Sequence, residues 1–348
     1  MDLNIAIIGA GEVSRVHFEA LKDHPSVQVI GLFDQDQDRA RSRAAENGVT
    51  TVYPTWDALL ADANVDCVAI LLPHDLHEKF TIEALQAGKH VVCEKPLGQS
   101  IGECQRMLAA AAAADRSLYP VQNRLYSHAV ERMGEIVHAG QIGDVIIAQT
   151  NGFEGAKTVS VRPWLATKRG GGGVLMAQAV HPAYALRWII GDVASVCCQF
   201  GDRKVVDMTA EDTAITVLKF ANGAVGEMTA TFGIAHGPFD HSITLHGRDG
   251  YLQLNSRRKN PTQPDVLHAI SPKLFGDTEM HEVPLPSSAG SSTGFRRMWT
   301  DYARGMVDGA PTRVIGEDGL RAVEIILASY RSNDTGQTMR LPLDVETT

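Results

Sequence analysis

The chain has 348 residues, too many for one ordinary domain and well matched to two. A hydrophobic fraction of 44% with 21% charged residues excludes a disordered chain, and a net charge of −9 speaks against a nucleic-acid partner, which needs a basic face. The five cysteines (Cys67, Cys93, Cys104, Cys197 and Cys198) form no CxxC pair, and this odd, unpatterned set points to a reducing compartment. No apolar run approaches membrane-spanning length, so no membrane association is expected. Met1-Asp2 leads straight into a strand, not a secretory leader, and the cytoplasm is the expected location.

Ile5 to Ile8 is a short apolar run, the pattern of a strand buried on both faces. It ends at Gly9-Ala10-Gly11, after which Val13, Val16, His17, Ala20 and Leu21 recur at helical spacing. Val27 to Phe33 reads as the next strand, and Gln37 to Glu46 as a helix stopped by Asn47-Gly48. Strands follow at Val49 to Tyr53, Val65 to Leu72 and His90 to Cys93, with helices at Trp56 to Leu60, Leu76 to Gln86 and Gly102 to Ala114. Strict alternation of strand and helix predicts a parallel sheet covered on both faces, over residues 1–122.

From 123 to 348 the grammar changes. After a helix near Val130 to His138 and a strand at Asp144 to Thr150, two hairpins are predicted. One turns at Asn222-Gly223 and the other at Arg248-Asp249-Gly250. This second domain is expected to be an α+β unit with a large, mainly antiparallel open sheet. Asn255 to Ser292, rich in Pro, Ser and charge, reads as irregular.

Gly9-Ala10-Gly11-Glu12-Val13-Ser14 lies where a phosphate-binding turn belongs. Gly9 permits a tight turn, Gly11 lets the backbone approach a pyrophosphate, and the following helix offers free N–H groups. Ser14 replaces the third glycine of the fingerprint. Asp34, 25 residues after Gly9, stands where a carboxylate accepts bonds from adenosine ribose. Asp34 and Asp36 would repel a 2′-phosphate, so NAD is expected over NADP, with Arg39 the residue that would favour the phosphate.

At Glu94-Lys95-Pro96, after the fifth parallel strand, the sequence resembles the glucose–fructose oxidoreductase, inositol dehydrogenase and rhizopine catabolism (Gfo/Idh/MocA) family. The likeness extends through Val65 to Ile70 with Leu72, Pro73 and His77, Gly171-Gly172-Gly173-Val174-Leu175 with His181, Glu211-Asp212-Thr213-Ala214, and Phe220 to Gly223. The resemblance implies a Rossmann domain followed by a substrate and oligomerisation domain, assembled as a homodimer or homotetramer. It further implies hydride transfer between nicotinamide and a secondary alcohol or ketone of a sugar, cyclitol, sugar acid or related diol. Gly9, Gly11, Glu12, Val13, Asp34, Leu72, Pro73, His77, Glu94 and Lys95 would form the coenzyme site. Lys95 would stabilise a developing alkoxide, and His181 would exchange the hydroxyl proton. Pro96 would be a rigid element presenting Lys95.

Arg124, Trp164 and Gln178 would join Lys95 and His181 around the substrate. Many family members carry an Asp four residues before this His; Ala177 stands there instead, and Tyr184 replaces another commonly acidic position. Lys157, Lys168 and Arg169 read as a solvated basic loop, with a carboxylated substrate the alternative. His74, Asp75 and His77 read as loop residues, and no metal is expected. Two further readings remain: an NAD-using glycosidase-like enzyme on the same scaffold, and a dinucleotide- or sugar-sensing protein without turnover.

Overall fold

A computed structural model describes residues 3–168, 171–202, 207–234, 239–258, 265–286 and 291–343. The chain divides into two compact units, Met1–Asn123 with Ser291–Leu320, and Arg124–Gly290 with Arg321–Thr348.

In the first unit, six parallel strands run β1 (Leu3–Ile8), β2 (Val27–Phe33), β3 (Thr51–Val52), β4 (Cys67–Ile70), β5 (His90–Cys93) and β6 (Leu118–Pro120). Their order in the sheet is 3-2-1-4-5-6, that of a dinucleotide-binding doubly wound fold. β4 is buried at every position because helices cover both faces. The helix Ser291–Asp308 packs on Glu12–Leu21 and brings a distant part of the chain into this unit. Residues expected as one block from 123 to 348 are thus shared between the units. The recruitment follows from buried Trp299 and Tyr302, whose apolar bodies cover the sheet's helical layer while Tyr302 donates to the Pro120 carbonyl at 2.7 Å.

The second unit contains, among the described residues, an 11-stranded sheet. It includes β7 (Val145–Phe153), β8 (Val193–Phe200), β9 (Thr213–Phe220) and β10 (Val225–Thr231). β9 and β10 form the Asn222-Gly223 hairpin, with Gly223 at φ +99°. β7 and β10 pair in parallel, so the sheet is mainly rather than wholly antiparallel. In β9, Ala214, Thr216, Leu218 and Phe220 are buried while Ile215, Val217 and Lys219 face outward, the alternation of a sheet covered on one side.

The stretch expected to be irregular from 255 to 292 carries a strand, Val266–Ile270, that extends this sheet beside Tyr251–Asn255. Leu267 and Ala269 point inward, but the outward Val266 and Ile270 are apolar as well, so the run shows no alternation to read from sequence. No described helix is long and apolar enough to cross a membrane.

Candidate active site

The phosphate turn is built by sterics. Gly9 sits at φ +103°, donates its N–H to the Phe33 carbonyl, and lies so close to Leu71 that a Cβ would fall 2.2 Å from that carbonyl oxygen. Gly11 differs: its backbone is extended, and a Cβ there would meet nothing within 4 Å. No side chain caps the helix Glu12–Leu21 behind it, which leaves the first N–H groups, at Glu12 and Val13, to a ligand. An uncapped ten-residue helix end behind a side-chain-free position fits a pyrophosphate. Ser14 is buried, and its Oγ donates to the Gly11 carbonyl at 2.7 Å, a bond a glycine would lack.

Asp34 closes this turn. Its Oδ2 accepts from Ala10 N–H at 2.8 Å and its Oδ1 from Asp36 N–H at 2.9 Å. Arg39 lies across both oxygens, with Nη2 at 2.8 Å from Oδ1 and Nε at 3.3 Å from Oδ2. Burial pushes the Asp34 carboxyl up, but Arg39 and the two backbone donors outweigh it and hold it below its usual range. A carboxylate offers about four acceptor positions, and Arg39 fills two of them. Arg39 is half-exposed, so it is the partner able to yield to a ribose hydroxyl.

Beneath the Glu94-Lys95-Pro96 segment lies a buried polar chain. Trp299 Nε1 donates to His17 Nδ1 at 3.2 Å, and His17 Nε2 lies 3.1 Å from Glu94 Oε1. An indole N–H only donates, so Nδ1 is the acceptor and the His17 proton sits on Nε2, directed at Glu94. Glu94 Oε2 accepts the Lys95 backbone N–H at 3.1 Å. Burial raises the Glu94 carboxyl, but His17 and Lys95 prevail and keep it ionised. The Lys95-Pro96 peptide is cis.

His77 is fully buried, with Nδ1 2.8 Å from the Pro96 carbonyl and Nε2 2.9 Å from the Leu72 carbonyl. Burial outweighs those two acceptors and lowers its pKa, and a neutral ring, with one N–H, donates to one of the two carbonyls while packing between the Leu72-Pro73 and Lys95-Pro96 loops. His74 is buried against it, their ring centroids 5.7 Å apart. Among the described residues no three His, Cys, Asp or Glu side chains are grouped to hold a metal.

In the second unit the glycine run is explained by its neighbours. A Cβ on Gly172 would lie 2.1 Å from the Leu165 carbonyl oxygen, and one on Gly173 would lie 2.3 Å from both Glu211 carboxylate oxygens. The Gly173 N–H donates to the Leu165 carbonyl, which places the half-buried Trp164 beside the run. Glu211 Oε1 accepts from Leu175 N–H and from the Tyr330 hydroxyl, each at 2.9 Å.

Leu175–Ala179 then forms a π-helical turn, which frequently marks a functional site. It carries buried Ala177 and Gln178 and leads into the helix Val180–Ile190 with His181. His181 Nδ1 lies 2.7 Å from the Tyr184 hydroxyl.

Arg124, predicted at the substrate, is committed within the same unit. Its backbone N–H reaches the Tyr184 hydroxyl at 3.4 Å, and its Nη2 lies 3.2 Å from His241 Nδ1. His241 Nε2 is 3.5 Å from Glu154 Oε1, and Glu154 Oε2 accepts from the Thr158 hydroxyl at 2.8 Å. Burial works against the Glu154 charge, yet His241, Thr158 and Arg124 hold its pKa at about 2. Glu154 and His241 escaped the sequence reading because no local motif marks them; the sheet brings 154 to 241. Lys157 and Lys168 are exposed, and Arg169 lies outside the described residues.

This architecture has known counterparts. The model of an oxidoreductase family with an NAD-binding Rossmann fold matches residues 3–121, and that of the GFO/IDH/MocA C-terminal domain matches 130–253. The chain belongs to the Gfo/Idh/MocA oxidoreductase family. It is an NAD(P)-dependent oxidoreductase.

It is 25% identical over 343 residues to myo-inositol 2-dehydrogenase of Thermotoga maritima, covering 97% of this chain and 98% of that protein. It is 24% identical to D-apiose dehydrogenase of Paraburkholderia graminis, covering 97% and 89%. Levoglucosan dehydrogenase, solved with NADH and levoglucosan, shares the fold at TM-score 0.89 and 21% identity, covering 99% of this chain and 100% of that one.

Proposed function

We propose that this enzyme oxidises a secondary alcohol of a neutral polyhydroxylated small molecule, a sugar or cyclitol, with NAD, or runs the reverse reduction. The observation that carries the neutral substrate is the Arg124–His241–Glu154 chain, in which a partly buried carboxylate matches the guanidinium charge. An arginine so balanced has little net field left to attract a substrate carboxylate, which disfavours the sugar-acid alternative. The relatives named for inositol and apiose act on neutral polyols, in keeping with this reading.

The turn of Gly9 to Val13, with Leu72 and Pro73, would hold NAD, which when bound would supply the hydride acceptor. Lys95 steadies the substrate oxygen as charge develops on it. His181 receives the hydroxyl proton, while Trp164 and Gln178 line the substrate space. Asp34 receives the adenosine ribose in place of Arg39. His77 and Glu94 act from below by fixing the loops that carry these groups.

The test is a panel of inositols, pentoses, aldohexoses, anhydrosugars and sugar acids with NAD and NADP, followed at the nicotinamide absorbance. NADH formation with a neutral member is expected. Preference for a sugar acid would overturn the neutral site, and no reduction with any member would favour the sensing role. Product formation that needs NAD yet accumulates no NADH would favour the glycosidase-like reaction.

Asp34→Asn is expected to raise the NAD KM by about 10- to 100-fold, the loss of charge-assisted bonds, and to move preference toward NADP by freeing Arg39. Steady-state kinetics with both coenzymes checks this, and an unchanged NAD KM would remove Asp34 from the site.

The outer face of the sheet supports a homodimer or homotetramer. Val225 and Ile147 sit paired on one row, with Val217 and Ile215 on the next rows, all at least 38% exposed. Exposed apolar side chains grouped on one face, with Lys219 and Glu227 between them, suit an interface. The five free cysteines suit a reducing, cytoplasmic setting.

A further inference from the structure

The geometry points to Tyr184 as the positioning residue for His181, filling the role that a carboxylate at position 177 would otherwise play. This rests on the reading of His181 as the proton-exchanging group. Ala177 ends in a methyl group, which has no carboxylate to give, whereas the Tyr184 hydroxyl stands 2.7 Å from Nδ1. The two residues are three apart on one helix, so the bond is made within a single turn. Both are buried, and the Tyr184 ring meets the imidazole edge-on, with centroids 5.6 Å apart.

The hydroxyl is itself steered by the Arg124 backbone N–H at 3.4 Å, from outside the helix. A phenol differs from a carboxylate in carrying no charge. Its oxygen accepts from Nδ1–H of the neutral ring, the tautomer whose Nε2 is open to a proton, and still accepts from Nδ1–H once Nε2 has taken one. Tyr184 therefore keeps the ring's Nε2 pointed the same way in both protonation states, without placing a buried negative charge beside it. A lone buried carboxylate would cost desolvation energy at this position.

Three measurements test the assignment. First, His181→Asn is expected to lower kcat by at least about 100-fold. If it does not, the reading of His181 itself fails, whatever Tyr184 does. Second, Tyr184→Phe removes one oxygen and keeps the ring, and is expected to lower kcat about 10- to 100-fold with the polyol KM changed less than about threefold. A purely structural role would move the melting midpoint without this split.

Third, 15N–1H correlation of the His181 imidazole reads the bond without turnover. The Nδ1 shift should move in Tyr184→Phe and stay put in Tyr251→Phe, where the ring lies against His246 on the strand Tyr251–Asn255. An unmoved Nδ1 shift, or an unchanged kcat in a variant where His181→Asn is inactive, overturns the proposal.

Discussion

Lys95→Ala is expected to lower kcat by about 100- to 1,000-fold, or about 3–4 kcal/mol, the effect of removing one preorganised donor from a developing oxyanion. The figure depends on how firmly the lysine is held. Its backbone N–H is fixed by Glu94 Oε2, Glu94 is fixed by His17, and the proton position on His17 is set by Trp299. A donor on so rigid a mount pays little reorganisation when charge appears, which is where most of the stabilisation arises.

Lys95→Arg should rescue little, because a planar guanidinium does not place a point charge where an ammonium sits. Single-turnover hydride transfer, read at the nicotinamide absorbance, is the measurement. Chemistry within threefold of the native rate would remove Lys95 from the mechanism. His17→Ala provides the contrast: it leaves the lysine in place and loosens its mount, so it should lower the rate less than Lys95→Ala.

The parts of this site that lay open in the sequence are those made by contacts near in the chain. A glycine turn after a buried strand and an acid at the end of the next strand follow from local geometry, while the lysine after the fifth strand was legible as a family likeness. The supports follow from neither. His17 and Glu94 are 77 residues apart, Trp299 joins them from 282 residues beyond His17, and Arg124 meets His241 across 117.

No periodicity records such pairings, because either partner alone has the composition of an ordinary helix or loop. The helix Ser291–Asp308 shows the same limit at the level of domains, since its membership is set by what it covers. The glycine run lies between these cases. It was legible as a family likeness, but its physical cause, a carboxylate from position 211 filling the space a Cβ would need, is visible only in three dimensions.

That carboxylate gives the second large effect. Burial drives the Glu211 carboxyl from 4.5 up to about 7, against the opposing pull of Leu175 N–H, Tyr330 and Lys168. Between those values the folded chain holds a proton that the unfolded chain releases. The stabilisation is complete below the unfolded pKa and is lost as pH rises through the folded one. Over the window the change amounts to about 3 kcal/mol.

Glu211→Gln keeps the shape and removes the titration. The denaturation midpoint of the variant should therefore fall less steeply than the native one from pH 5 to 8. At the alkaline end, where native Glu211 is charged in an apolar setting, the variant should be the more stable of the two. Parallel midpoint curves would show that Glu211 does not titrate in this range. Because Glu211 packs against Gly173 and binds Leu175 at the base of the π-turn, its ionisation also loads the segment that leads to His181. Loss of activity above neutrality that is relieved in Glu211→Gln would trace to this support rather than to the reacting groups.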